Sequence, residues 1–335
     1  MQQDAERTGE DRVSRREFIR RATLASGAAA LAGCVSGDET RQATEGSTGT
    51  LPRRPLGRTG EEVPILGMGS ATAGKHRTPE EAAALYDEAI DLGVTYMDTA
   101  PDFAGYGKAQ RALGEVLAKR RDEVFLVTKC WEPRGDDARR LLENNLRELR
   151  TDHADLVYAH SVGSDKMDPE VVQAKGGVLE FLQKAKEEGL TRFAGISGHN
   201  RPGRFVDILE RFPVDVMMCA VNFVDRHTYD FETRVYPVAA RQGVALVAMK
   251  ILGGERGGSP RCMCPRAYHD LAFRYALGLP DLSLVVVGMN DRQELLENVE
   301  RLASYRPLTE EERAALREAG SRLSGDWGAH FGPVT

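Results

Sequence analysis

From Leu51 onward the chain alternates, eight times, between a short apolar or β-branched run and a helix-length amphipathic stretch. The runs are Val63–Gly69, Thr95–Thr99, Val124–Lys129, Asp155–His160, Arg192–Ser197, Val214–Val221, Val244–Met249 and Leu282–Gly288. Val124-Phe125-Leu126-Val127 and Leu284-Val285-Val286-Val287 are apolar without a break, as strands covered on both faces require. Between the runs, Pro79-Glu80-Glu81 puts a proline and two acids at a positive helix end. Leu141, Leu142, Leu146 and Leu149 form one apolar stripe. Leu179, Leu182 and Ala185 form another, stopped by Gly189. Strand–helix alternation means a parallel sheet with helices outside. Eight units favour closure, so the expected fold is α/β, a (β/α)8 TIM barrel over residues 51–335. Arg54-Pro55-Leu56-Gly57-Arg58-Thr59-Gly60 predicts an N-terminal β-hairpin ahead of it. An open dinucleotide-binding sheet is disfavoured, because Gly67-Met68-Gly69 lacks the third glycine of that fingerprint.

The first fifty residues have no such alternation. Ser14-Arg15-Arg16-Glu17-Phe18-Ile19 precedes twelve small or apolar residues, Ala22 to Gly33. That stretch is too short for a membrane span, which needs about 20 residues, and suits the apolar region of a signal peptide. The paired arginines resemble a twin-arginine export signal, a basic disordered tail being the plainer alternative. Leu31-Ala32-Gly33-Cys34 resembles a lipobox, in which Cys34 is lipidated; the alternative is an ordinary small-residue cleavage site. The expected organisation is a signal peptide over 1–33, a flexible Ser/Gly/Thr-rich tether over 34–50 and the barrel over 51–335. It implies an exported protein, periplasmic or on the outer face of a membrane. An acyl anchor on Cys34 would hold it there, and the export machinery would recognise Arg15 and Arg16.

The formal net charge of −6 argues against a nucleic-acid partner. Five cysteines, Cys34, Cys130, Cys219, Cys262 and Cys264, are too few and too scattered for a disulfide scaffold. Cys262-Met263-Cys264-Pro265 resembles half a metal site, but only His269 is near enough in sequence to help, so no metal is expected. A redox role for this pair stays open as a minor alternative.

Barrel enzymes carry their chemistry at the C-terminal strand ends. Asp98 ends the second run, Lys129 the third and His160 the fourth, with Tyr106 in the loop after the second. Singly, each is an ordinary cap, solvent-facing or structural residue. Together they surround one mouth and make a proton donor. A phenol of ordinary pKa about 10 is a weak acid at neutral pH, and a buried ammonium beside it would lower that value. Asp98 would hold Lys129, and a neutral His160 would hydrogen-bond a substrate carbonyl.

At these residues the chain resembles the aldo/keto reductase family, over about residues 53–304. The resemblance rests on Leu56-Gly57-Arg58-Thr59-Gly60, Met97-Asp98-Thr99-Ala100, Tyr106-Gly107 with Leu113-Gly114, Thr128-Lys129, and Asp155-Leu156-Val157-Tyr158-Ala159-His160. It implies hydride transfer between a nicotinamide cofactor, NADP or NAD, and a small carbonyl or alcohol substrate, with Asp98, Tyr106, Lys129 and His160 as catalytic tetrad. The family's tyrosine usually stands five positions after the aspartate. Here that position is Phe103, and a three-residue insertion would make Tyr106 the equivalent. Gly195-Ile196-Ser197-Gly198 resembles the segment holding the cofactor's carboxamide, with Gly198 replacing an Asn. Met218 stands where Gln is common, and Met249 where an aromatic often stacks on the nicotinamide. Gly69, which ends the first run, and Ser70 after it are expected at the cofactor, without a tryptophan that many members have nearby. Lys250 is expected at the pyrophosphate, and Gly288, Glu294 and Asn298 at the adenosine end. Glu294 stands where many members have an Arg, with Arg292 nearby, which opens NAD as an alternative to NADP. A non-catalytic binding or sensory lipoprotein on the same barrel is the competing reading, supported by Phe103 and the altered cofactor positions.

Overall fold

The computed structural model describes residues 50–255 and 261–335. The expected signal peptide, Arg15, Arg16, Cys34 and all but the last residue of the tether lie outside the described residues. Eight parallel strands close into a barrel: β3 (Leu66–Gly69), β4 (Tyr96–Asp98), β5 (Phe125–Cys130), β6 (Ala154–Ala159), β7 (Thr191–Gly198), β8 (Val216–Ala220), β9 (Ala245–Met249) and β10 (Leu282–Gly288). Closure comes from β10, which pairs with β3 from Val285↔Leu66 to Gly288↔Gly69.

The expected hairpin is present as β1 (Arg53–Pro55) and β2 (Glu62–Pro64), antiparallel to each other. Its Leu56 and Val63 join Tyr96, Phe125, Leu156, Val216, Ala245 and Leu284 in the apolar filling of the barrel. The hairpin thus plugs the end opposite the strand C-termini. It also corrects the first expected run. Val63–Gly69 is two elements, because Val63 and Pro64 belong to β2 and the barrel strand starts only at Leu66. Between them Ile65 donates its N–H to Pro52 O rather than into the barrel. The fourth run is also shifted by one: β6 ends at Ala159, and His160 follows it with its N–H on Cys130 O.

A second, larger apolar layer lies between the sheet and its helices. The helix Pro79–Asp91 begins with a full capping box. Thr78 Oγ1 accepts from the Glu81 N–H, and Glu81 Oε2 accepts from the Thr78 N–H. On the helix Gly135–Glu148, Leu142 and Leu146 of the expected stripe are buried, with Leu149 behind them, while Leu141 is only half-buried. The same helix buries Asn145, whose Nδ2 donates to Lys129 O at 2.9 Å. This bond fixes the end of β5, from which Lys129 projects. Among the described residues no helix is long and apolar enough to cross a membrane.

The helix Ala109–Arg120 approaches its neighbour through Gly114. A Cβ there would stand 2.1 Å from Glu148 O. Since the obstacle is backbone, it cannot rotate away. Gly114→Ala should therefore destabilise the barrel by about 1–3 kcal/mol, the usual scale of overpacking. The check is the urea midpoint: it should fall at constant slope, and an unchanged midpoint would mean that the two helices part at no cost.

Candidate active site

The strand ends bring Asp98, Lys129 and His160 to one mouth, as their spacing predicted. Lys129 is fully buried, and its Nζ donates to Asp98 Oδ1 at 2.6 Å and to Thr99 O at 2.9 Å. The other carboxylate oxygen, Asp98 Oδ2, accepts from the Tyr106 hydroxyl at 3.4 Å. The Lys129 ammonium also sits over the Tyr106 ring, 4.7 Å from its centroid. His160 stands edge-on to Tyr106, centroids 6.3 Å apart, and edge-on to Trp131 at 5.9 Å. Its Nδ1 lies 3.1 Å from Ser197 Oγ.

Tyr106, not Phe103, faces Asp98. Phe103 lies on the short turn Asp102–Ala104, 52% exposed, and stacks on Trp131 at the rim. Two glycines let the intervening loop press onto the helix Ala71–His76. A Cβ on Gly74 would meet Tyr106 O at 2.4 Å. Gly107 has φ +56°, in the left-handed region, and a Cβ there would meet Gly74 O at 2.5 Å. The Lys108 N–H then donates to Gly74 O at 3.2 Å. This backbone contact seats the loop, and the contacts of the phenol with Asp98 and Lys129 complete the placement of Tyr106.

Burial raises the pKa of the Asp98 carboxyl, and the ammonium of Lys129 opposes that rise at contact distance. Lys129 is lowered by its own burial and raised again by Asp98. The expected lowering of the Tyr106 pKa is overturned. It is raised well above its ordinary value, first by burial and then by Asp98, whose carboxylate accepts the hydroxyl proton. The ammonium is spent on Asp98 and Thr99 O and touches the ring face, not the hydroxyl. His160 is held well below its ordinary value by burial and then by the cation of Lys129. His199 is pushed down to about 3, by burial and then by Lys250 and Lys129.

A cleft opens beside Asp98 and Tyr106. Gly69, Met249, Lys250 and Gly288 line it, as do Thr72 and Lys75, which the sequence reading missed. Their place on the short helix directly after the first barrel strand, at the end where barrel sites are built, was the available signal. Lys75 pairs with Glu255 at 2.6 Å, across the cleft edge. Other expected residues stand apart from it. Ser70 follows Gly69 with its Oγ buried and unpartnered. Ser197 and Gly198 end β7 nearer to His160. Met218 fills the barrel interior with Tyr158 and Val247. Glu294 is exposed and folds back to accept from the Asn290 N–H at 2.7 Å, while Arg292 is drawn to Glu88 at 2.7 Å. Asn298 is buried on the same helix, Arg292–Ala303, and accepts from Arg301. Cys262 lies 3.3 Å from His269 Nε2, yet no group of three metal-ligating side chains occurs among the described residues.

The sequence model of the aldo/keto reductase family matches residues 65–257, more than half of the chain. The protein belongs to the aldo/keto reductase family. Its relatives include the L-galactose dehydrogenase of Arabidopsis thaliana, 26% identical over 321 residues, covering 83% of this chain and 98% of the relative. The Bacillus subtilis oxidoreductase YqkF is 26% identical over 306 residues, covering 80% and 96%. The holo form of an aldo-keto reductase from Bacillus halodurans superposes with a TM-score of 0.67 over 80% of this chain and 96% of that one. At 24% identity that likeness speaks for the fold. This aldo/keto reductase is an oxidoreductase that interconverts a carbonyl and an alcohol by hydride transfer, using NADP or NAD.

The neutral histidines have a measurable consequence for its stability. A histidine of ordinary pKa about 6.5 takes up a proton in the unfolded chain that buried His160 and His199 refuse in the native one. Stability should fall as pH drops below about 6.5, before most carboxylates titrate. Denaturant midpoints between pH 7 and 5 would show the slope, and His199→Gln should reduce it. An unchanged slope in that variant would mean that His199 protonates freely in the native barrel.

Proposed function

We propose that Tyr106 is the proton donor of this reductase, Asp98 and Lys129 the pair that holds it, and His160 the residue that binds the substrate carbonyl. The supporting observation is one carboxylate, Asp98, shared by the Lys129 ammonium and the Tyr106 hydroxyl within the same mouth as His160. The nicotinamide cofactor supplies or accepts the hydride. In reduction, Tyr106 keeps its proton until negative charge develops on the carbonyl oxygen, because burial and Asp98 disfavour phenolate. His160, uncharged, donates a hydrogen bond to that oxygen without contributing a proton of its own. Lys129 then balances the anionic charge left on the Asp98–Tyr106 pair.

The cleft has features that suit a dinucleotide. Lys250 offers a cation to a pyrophosphate, its Nζ bonding to no described residue, and Lys75 adds a second cation at the edge, where it is paired with Glu255. Gly288 leaves backbone exposed at the cleft, with Gly69 paired to it behind. Met249 forms an apolar wall with Met218 below it, and Ser197 and Gly198 end β7 on the His160 side. At the adenosine end, Asp291 and Glu294 occupy the start of the helix that carries Asn298, and Arg292 is committed to Glu88. Two carboxylates there favour the 2′-hydroxyl of NAD over the 2′-phosphate of NADP. Tyr106→Phe should lower turnover by about 10²-fold or more while leaving dinucleotide affinity within about twofold. Phe103→Tyr should add nothing. Titrations in the same series should find NADH bound at least as tightly as NADPH. Activity retained by Tyr106→Phe would remove the proton-donor role, and a strong NADPH preference insensitive to Glu294→Arg would remove the cofactor reading.

We further infer that residues 1–33 direct export of the folded barrel and that Cys34 carries a lipid, leaving 34–50 as tether and 51–335 as catalytic domain. The support is the Arg15-Arg16 pair, the short apolar stretch and Leu31-Ala32-Gly33-Cys34. Replacing both arginines by lysine keeps charge and removes guanidinium geometry, so it should stop export. Cys34→Ala should release the exported protein from the membrane into the soluble fraction. Unchanged export of the first variant, or unchanged membrane association of the second, would refute the corresponding part.

A further inference from the structure

Lys250 has φ +58°, in the left-handed region, a conformation that a residue with a side chain keeps only where its surroundings hold it. The hold is on its carbonyl. Lys250 O accepts from the Gly253 N–H at 2.8 Å and from Asn222 Nδ2 at 3.1 Å. The Asn222 amide is itself fixed, because its Oδ1 accepts the N–H groups of Val224 and Asp225 at 2.9 and 2.7 Å. Its Nδ2 also donates to Asp225 Oδ2 at 2.6 Å. Asp225 is buried, and its other oxygen, Oδ1, accepts from His330 Nε2 at 3.0 Å. No other ion-pair partner of Asp225 occurs among the described residues. A line of bonds thus runs from His330, beyond the helix Glu310–Trp327, to the backbone of the lysine in the cleft.

The segment that brings His330 there is anchored on its own account. The Phe331 N–H donates to the Tyr229 hydroxyl at 2.8 Å, which donates in turn to Gly332 O at 3.0 Å. Asn200 Nδ2 donates to Pro333 O at 3.2 Å. The segment also touches the surface on which Lys250 lies. A Cβ on Gly254 would stand 3.2 Å from Lys250 Cδ and 3.7 Å from Phe331 Cε1, so the lysine stem and the Phe331 ring share one bare glycine.

We propose that His330 is a positioning residue for the dinucleotide: by satisfying Asp225 it holds Asn222 against Lys250 O and keeps Lys250 in the left-handed turn that presents its ammonium to the cleft. This rests on the reading of Lys250 as the cation at the pyrophosphate. The physical reason is the burial of Asp225. A carboxylate deprived of one donor inside the protein must turn towards water or take the Asn222 amide for itself, and either move withdraws that amide from Lys250 O.

The experiment compares His330→Leu, which keeps bulk and loses the N–H, with His330→Gln, whose amide can still donate to Asp225. Titration with NADH and with NADPH should show binding weakened about tenfold by leucine and restored to within about twofold by glutamine. The KM for dinucleotide should rise by the same factor while kcat stays within about twofold, as when a contact common to ground and transition states is lost. Lys250→Met should weaken both dinucleotides about tenfold or more, and adding His330→Leu to it should cost less than about twofold further, because nothing is left to position. In a crystal of the His330→Leu protein, Lys250 should leave the left-handed region. An unmoved Lys250 would overturn the proposal. So would a glutamine variant as weak as the leucine one, or an equal loss from His330→Leu with and without Lys250. Should the leucine variant not fold, His330→Ala is read in the same way. If Lys250→Met binds dinucleotide as the wild type does while His330→Leu still displaces the Lys250 backbone, the pyrophosphate reading fails and the positioning of Lys250 by His330 stands.

Discussion

The interaction on which the rest of the site depends is the buried ion pair of Asp98 and Lys129. Neither charge reaches water, so each would be severely destabilised without the other. The pair is tolerated because every valence has a use. Lys129 adds a bond to Thr99 O, and Asp98 gives its second oxygen to Tyr106. Behind it a polar chain runs through the wall of the barrel. Asn145 donates to Lys129 O, Gln110 to Asn145 Oδ1 and Thr128 to Gln110 Oε1. Buried polar groups that satisfy one another in this way allow a single arrangement, and here it aims one phenol at one place.

Two readily legible levels of information carry the fold. The apolar runs set the eight strands, and the amphipathic stretches set the helices, because burial on one face or two leaves a period in the sequence. The hairpin boundary was not legible in this way. Val63 is as apolar as a barrel residue because it does fill the barrel, but it does so from the plug rather than from a barrel strand. Pattern alone cannot separate two ways of being buried in the same core.

The strand-end residues were legible because topology gathers them: a βα barrel presents the ends of all its strands on one face. The electrostatics were not. Sequence placed a cation near Tyr106 and so predicted a lowered pKa, but it did not show how deeply the phenol is buried or which atom each charge touches. Burial raises the phenol first, and Asp98 at the hydroxyl adds to it, while Lys129 reaches only the ring face. At the adenosine end too, side-chain direction was not legible. The Glu294 carboxylate accepts from the Asn290 N–H four residues earlier. Short-range capping of this kind competes with any longer-range role and leaves no separate mark in sequence.

The raised phenol and the uncharged histidine belong to one electrostatic design. Lys129 and Lys250 make the mouth cationic, and a further positive charge on His160 or His199 would cost most where water is excluded. The imidazoles therefore act as neutral dipoles. Such a mouth is matched less well to a neutral carbonyl than to an oxygen that is gaining negative charge, so its stabilisation grows along the reaction coordinate instead of being used in the ground state. A phenol made more acidic by a neighbouring ammonium would part with its proton too early. In the role proposed for Tyr106, a phenol held by Asp98 would release its proton only when the carbonyl oxygen has become the stronger base.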